Sequence, residues 1–173
     1  SMKRIVILAS GSGTLAQAIF DAHLEADIVA VISDQRDAAV LERAHKARIE
    51  TFTIPMLPDR TEWDRELETL IAALKPDLVV SAGFMRILSE RITSKFRIIN
   101  SHPALLPLFP GAHAVRDALA AGATETGTTI HWVDAGVDTG EVIAQERVEI
   151  HPGDTEESLH ERIKIVERGL IVA

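Results

Sequence analysis

The chain has 173 residues and a mass of 18.9 kDa, which suits one domain of ordinary size. With 46% apolar and 25% charged residues, and no apolar run near the roughly 20 residues that cross a bilayer, it has a soluble globular composition, neither membrane-embedded nor disordered. The 26 acidic residues outnumber the 18 basic ones for a formal charge of −8, with the basic residues scattered, which argues against nucleic acid as a partner; the absence of cysteine excludes disulfides, thiolate metal sites and a cysteine nucleophile.

Ser1, ahead of Met2, reads as an addition to the native start, and the residues that follow make no secretory segment, so the expected compartment is the cytoplasm. Residues 4–9 form a continuous apolar, β-branched run, as a parallel strand buried on both faces requires. Ser10 to Thr14 make a turn, after which Leu15, Ala18, Ile19 and Ala22 recur at helical spacing as far as Glu25. The alternation continues with a strand over 28–33, a helix over 38–47, a short strand over 51–54 and a helix over 61–74. That last helix carries Trp63, Leu67, Leu70, Ile71 and Leu74 on one face. Strands over 77–82 and 97–100 follow, separated by residues 83–96. Such alternation predicts right-handed βαβ units and a parallel sheet.

Beyond Asn100 the character changes. Residues 101–112 hold Pro103, Pro107, Pro110 and Gly111 and must be an irregular loop. A helix over 113–121 leads to strands over 127–134 and 141–150, an antiparallel pair, and then to a helix that opens at Asp154 to Glu157 and runs towards Val172. The chain stops at Ala173 inside an apolar helical pattern, so the native polypeptide is expected to continue. The fold class predicted is α/β: a Rossmann-like open, mostly parallel sheet with helices on both faces and an antiparallel pair near the C-terminal end, forming one domain over residues 1–173.

Two loops carry chemistry. Gly11, Ser12, Gly13 and Thr14 lie between a strand end and a helix N-terminus, where small residues allow close approach and free N–H groups attract phosphate. The same residues fit G-x-G-x-x-A, and Asp34 follows about 20 residues later, where a dinucleotide fold keeps its ribose-binding acid. An NAD-binding module is therefore a rival, and a plain glycine turn is the blander one. In the second loop, Asn100 and His102 are two apart at a strand end and share a face, so an amide and an imidazole point into one crevice. Asp138, between the two late strands, is placed to return to the same edge. Donors for an oxyanion, a proton carrier and a carboxylate to hold the imidazole charged suit acyl-type transfer without a covalent enzyme intermediate. The bland alternative is a satisfied strand-end histidine and an aspartate in a turn.

Weaker candidates stand beside these. His131 alternates with Thr129 and Val133 and reads as a core or rim residue, since nothing beside it in sequence completes a triad. His102, His113 and Asp138 match no metal-ligand spacing, so no metal is expected. Glu161, Arg162, Lys164, Glu167 and Arg168 read as a solvated helix face.

From Asn100-Ser101-His102-Pro103 through Phe109-Pro110-Gly111-Ala112-His113, the chain resembles the phosphoribosylglycinamide formyltransferase family, folate-dependent enzymes of purine synthesis. Gly83-Phe84-Met85-Arg86-Ile87-Leu88 and Gly127-Thr128-Thr129-Ile130-His131-Trp132-Val133, with Asp138-Thr139-Gly140, match in order and spacing, so the resemblance covers nearly the whole chain. It implies formyl transfer from 10-formyltetrahydrofolate, as cosubstrate, to the amine of glycinamide ribonucleotide. Asn100 and His102 would stabilise the tetrahedral oxyanion, and Asp138 would keep His102 charged and help relay protons. The ribonucleotide would be held by Gly11, Ser12, Gly13, Thr14, Leu15 and Glu167. The folate would be held by Arg60, Met85, Arg86, Ile87, Leu88, Asn100, Asp134, Ala135, Gly136, Val137 and Asp138. The implied partners are small molecules, with no nucleic acid or membrane, and a homodimer is left open. Leu15 departs from the family, which usually has Asn there, so one phosphate hydrogen bond is expected to be missing. The alternatives are formyltetrahydrofolate hydrolase and methionyl-tRNA formyltransferase, which share Asn-x-His and Asp, and, from another class, the NAD-binding module.

Overall fold

Apolar, β-branched residues put the first strand at the centre of the sheet. In the computed structural model, which describes residues 2–172, β1 (Lys3–Leu8) has Val6, Ile7 and Leu8 fully buried. Ser1 and Ala173, on which the expectations about the two chain ends bear, lie outside the described residues. After β1 come α1 (Thr14–Asp21), β2 (Ala26–Ser33), α2 (Ala39–Lys46), β3 (Thr51–Thr53), α3 (Arg60–Leu74) and β4 (Leu78–Ser81). Then follow α4 (Glu90–Lys95), β5 (Ile98–His102), α5 (Ala114–Ala120), β6 (Glu125–Trp132), β7 (Val142–Glu149) and α6 (Glu156–Ile171). No helix among the described residues is long and apolar enough to cross a membrane.

The seven strands form one sheet in the order β3-β2-β1-β4-β5-β6-β7. The first five in that order pair in parallel, and β6 is antiparallel to both β5 and β7. The α/β class and the antiparallel β6–β7 pair are as the sequence predicts. Chain order reverses between β1 and β4, and beyond the carboxyl ends of parallel strands at such a switch point open α/β sheets bind ligands.

Alternation along each strand divides the core. Ile5, Ile7, Val31 and Val80 pack against α1 and α2 on one face. Val6, Leu8, Ile32, Val79 and Ile98 pack against Trp63, Leu67 and Ile71 of α3 and Ile92 of α4 on the other. At roughly 25 cal/mol per Å² of apolar area, these two faces supply most of the driving force for folding. A smaller cluster, Val115, Val148, Leu159 and Ile163, seats α5 and α6.

Three boundaries differ from the sequence reading for identifiable reasons. The first helix ends at Asp21 rather than near Glu25, because His23 is left-handed with φ 48° and breaks the helical run. Residues 83–96, left undivided by the sequence, contain α4, whose N-cap Ser89 accepts from the Ile92 amide. Strand β5 runs on to His102, so Asn100 and His102 are both in regular strand.

Candidate active site

At the carboxyl ends of β4 and β5 lies a cavity of about 360 Å³, lined among others by Phe84, Leu88, Asn100, His102, His131, Asp138 and Glu167. Asn100 and His102 share a strand face as their spacing requires, and His102 is buried. Asp138 comes from the loop joining β6 to β7. That loop is folded by Asp134, whose Oδ1 accepts from the Gly136 amide at 2.9 Å and the Thr139 hydroxyl at 2.7 Å. Asp138 itself is left-handed, φ 55°, a conformation Asp tolerates better than most residues. Its Oδ2 then stands 3.4 Å from His102 Nδ1 and accepts from the Gly111 amide at 2.8 Å. The three residues that the sequence singled out therefore meet.

His102 Nε2 lies 2.8 Å from the Phe109 carbonyl oxygen while Nδ1 faces Asp138, so both ring nitrogens have a partner that fixes the ring's orientation. Burial pushes the Asp138 carboxyl up, but His131, the Gly111 amide and the two imidazoles outweigh it and hold it below the usual carboxylate range.

His131 is buried at the cavity, as the core-or-rim reading has it, but it has partners that the sequence did not reveal. It is the cross-strand partner of Asn100, with Nε2 3.4 Å from Asn100 Nδ2 and 3.5 Å from Asp138 Oδ1, while Nδ1 lies 3.0 Å from the Trp132 carbonyl. Burial pushes its ring down, yet the Asp138 bond and the Trp132 carbonyl prevail and the net shift is upward. Asp138 thus sits between two histidines. The signal was the β5–β6 register, which no local pattern announces.

Glu167 is also not part of a solvated face. It is half-buried and accepts from the Ser101 hydroxyl at 2.6 Å; burial raises its carboxyl above the ordinary value despite that bond. His160, seven residues earlier on the same face of α6, lines the cavity as well and was not singled out by the sequence. Arg162 is likewise engaged, by Asp154 and the Glu149 carbonyl.

Met85, Arg86, Ile87, Leu88, Asp134, Gly136 and Val137 all line the cavity, with Met85, Ile87 and Val137 exposed at its mouth. Ala135 and Arg60 do not line it. Arg60 instead lies over the Trp63 ring at 4.8 Å and donates to the Ile87 carbonyl, bracing the cavity wall from behind. Trp63, fully buried, stacks on Phe84 with ring centroids 6.2 Å apart.

The turn of Gly11 to Thr14 lies outside this cavity, and Gly11 borders a second, more open hollow that meets the first at Gly83, Met85 and Arg86. Gly13 caps α1 with φ 77°, and a Cβ there would stand 2.6 Å from the Val40 side chain, so glycine is required. The amides of Thr14, Leu15 and Ala16 precede the first helical bond, from Gln17 to Gly13, and no side chain caps them. The Leu15 side chain is buried in the core against α2, which leaves its amide as the group that faces outward there and agrees with the expected loss of one side-chain hydrogen bond. Asp34 is unsuited to a dinucleotide ribose, since both carboxylate oxygens already accept, from Ser10, Gln35 and Arg86.

Residues 3–173 match the family model described as formyl transferase. A phosphoribosylglycinamide formyltransferase from Mycobacterium tuberculosis is 50% identical over 98% of this chain and 82% of its own length. One from Escherichia coli strain K12 is 42% identical over 96% of this chain and 82% of its own length. Among solved structures, glycinamide ribonucleotide transformylase 1 from Symbiobacterium toebii superposes with a TM-score of 0.95 at 41% identity, covering 99% of this chain and 84% of that one. With its cavity, its Asn100–His102–Asp138 grouping and these relatives, the chain belongs to the formyl transferase family, among the phosphoribosylglycinamide formyltransferases.

Proposed function

We propose that the chain transfers a formyl group from 10-formyltetrahydrofolate to the amine of glycinamide ribonucleotide, a step of purine biosynthesis, in the cytoplasm and with small molecules as its reaction partners. The observation that carries this reading is the convergence of Asn100, His102 and Asp138 on a cavity that also presents the apolar side chains of Phe84, Met85, Ile87, Leu88 and Val137.

The folate supplies an activated formyl group on nitrogen. Phe84, Met85, Ile87, Leu88 and Val137 suit a flat heteroaromatic ring, and the polar edge of the cavity lies beside the reacting carbon. As the ribonucleotide amine adds to that carbon, negative charge develops on the formyl oxygen. The Asn100 amide donates to it, and His102 Nε2 does so by exchanging the Phe109 carbonyl for the substrate oxygen. One C–N bond forms, the C–N bond to the folate breaks, and a proton passes from the amine to the departing nitrogen. Asp138 orients the His102 ring for that transfer. Glu167, fixed by Ser101, faces the glycinamide portion, and the free amides at the start of α1 receive the phosphate, aided by the helix dipole. A neutral amine attacking an activated formyl group needs positioning and charge stabilisation more than a nucleophilic side chain.

Product analysis with labelled 10-formyltetrahydrofolate and three competing acceptors tests the reading. Label is expected on the ribonucleotide amine. Formate as the main product would make the chain a hydrolase, and formyl-methionyl-tRNA would make it the tRNA enzyme.

A further inference from the structure

Asp34 lies outside the catalytic group, yet it is only 3% exposed and both of its carboxylate oxygens accept hydrogen bonds. Its Oδ1 accepts from the Ser10 hydroxyl at 2.6 Å; its Oδ2 accepts from Arg86 Nε at 2.7 Å and from the Gln35 amide nitrogen at 3.3 Å. The Ser10 hydroxyl in turn accepts from the Met85 amide at 2.8 Å, and the Ser10 amide donates to the Gly83 carbonyl at 3.2 Å. A single carboxylate thus connects the carboxyl ends of β1 and β2 with the segment 83–88, along the ridge where the two hollows meet.

The two ends of this connection differ in rigidity. Asp34 directly follows β2 and Ser10 lies two residues past β1, and the last four residues of both strands are buried. The other end belongs to no strand or helix, and its Met85 and Ile87 are 69% and 64% exposed. Phe84 and Leu88 pack against the core and Arg60 holds the Ile87 carbonyl, but the exposed Met85 between them adds no packing, which leaves the backbone there dependent on its hydrogen bonds. Desolvation opposes the charge on Asp34, but the hydroxyl of Ser10 and the guanidinium of Arg86 more than compensate, so the carboxyl is held below its ordinary range.

We propose that Asp34 is a positioning residue for the folate site: through Ser10 it fixes the Met85 amide and through Arg86 it anchors the loop, so that residues 83–88 stand at the cavity mouth in binding geometry. The inference rests on the folate reading of the cavity given above. Because the rigid end is the one that carries Ser10, loosening the connection frees the folate loop and leaves the phosphate turn in place. The consequence is a selective effect on one substrate.

The test compares Asp34→Ala, Asp34→Asn, Ser10→Ala and the Ser10→Ala/Asp34→Ala double variant, first by amide exchange at Met85 in the free protein, then by kinetics with each substrate varied. Exchange at Met85 is expected to quicken at least tenfold in Asp34→Ala and Ser10→Ala. The KM for 10-formyltetrahydrofolate should rise about tenfold, with kcat and the ribonucleotide KM within twofold of wild type. Asp34→Asn keeps an acceptor for Ser10 but loses the charge facing Arg86, so its rise should be smaller. The double variant should be no worse than Asp34→Ala, since both act along one path. Unchanged exchange and unchanged folate KM in folded Asp34→Ala would overturn the proposal, as would equal rises in both KM values with a lowered Tm, the pattern of general destabilisation. If the wild type transfers no formyl group, the functional reading fails separately; Met85 exchange and the Kd of a reduced folate then decide the role of Asp34.

Discussion

Asp138 and its two histidines make the site's stability depend on pH in a definite direction. The Asp138 carboxyl is held low, so its contribution is present above its unfolded value and is lost as pH falls through the folded one. The His131 ring is held high, so its contribution is complete below its unfolded value, about 6.5, and fades as pH rises through the folded one. Asp138→Asn is therefore expected to lower Tm most near pH 5 to 6, by about 2–4 °C for about 1 kcal/mol, and less at pH 9; a pH series of thermal melts on both proteins checks this. His131→Ala should lower kcat about tenfold while leaving the KM values within a few-fold, because the ring orients Asn100 and Asp138 without touching the reacting carbon. Glu167 works the other way. Its carboxyl is raised, so the native state loses stability as pH climbs above the ordinary glutamate value of about 4.3. Glu167→Gln should accordingly gain a few degrees in Tm at pH 8, with a smaller gain at pH 5, while formyl transfer falls; a Tm gain that does not depend on pH would contradict the assignment. Asn100, His102 and Asp138 were legible in the sequence because a strand period of two and a turn bring them together. His131 was not, because its partners arrive through the antiparallel register of β5 and β6. The direction of the Leu15 side chain was not legible either: at that point the helix turns it inward to the core.

At the level of elements, the site hangs on a few junctions. The turn into α1 requires Gly13 twice over, for its φ of 77° and for the approach of Val40. Gly13→Ala should destabilise the protein by about 1–3 kcal/mol and weaken ribonucleotide binding more than folate binding, as denaturant melts and titrations with each ligand would reveal. The helix that carries Glu167 begins with a capping box, in which Thr155 accepts from the Ser158 amide and the Ser158 hydroxyl accepts from the Thr155 amide. Thr155→Ala should cost about 1 kcal/mol, read as a drop in the denaturation midpoint. Buried strands and amphipathic helices announced themselves through apolar runs and period. The short helix α4 did not, since six residues of mixed polarity leave no periodic stripe, and its place is fixed by the Ser89 cap, by burial of Ile92 under the sheet and by the bonds from Arg91 and Lys95 to Glu68.

For the whole molecule, topology decides where chemistry happens. Placing β1 beside β4 opens a crevice at the carboxyl ends of the parallel strands. The Gly11–Thr14 turn proposed for the phosphate follows β1, the 83–88 loop proposed for the folate follows β4, and Asn100 and His102 end β5, so three adjacent strand ends bring the proposed site to one rim. The antiparallel excursion through β6 and β7 then brings Asp138 back over that rim, and α6, packed beside α1, presents Glu167. The alternation of elements made the parallel half of this arrangement readable, whereas the return of α6 depends on packing between distant segments. The central claim is that Asn100, His102 and Asp138 act together on a formyl group held beside the ribonucleotide amine. Its most direct test is the single-turnover rate of formyl transfer to glycinamide ribonucleotide by wild type and by Asp138→Asn, with the Kd of each substrate measured on the same preparations. The expected result is a rate lower by about 10²–10⁴ with each Kd within a few-fold of wild type. A near-normal rate in the folded variant would contradict the account and leave Asp138 a turn residue.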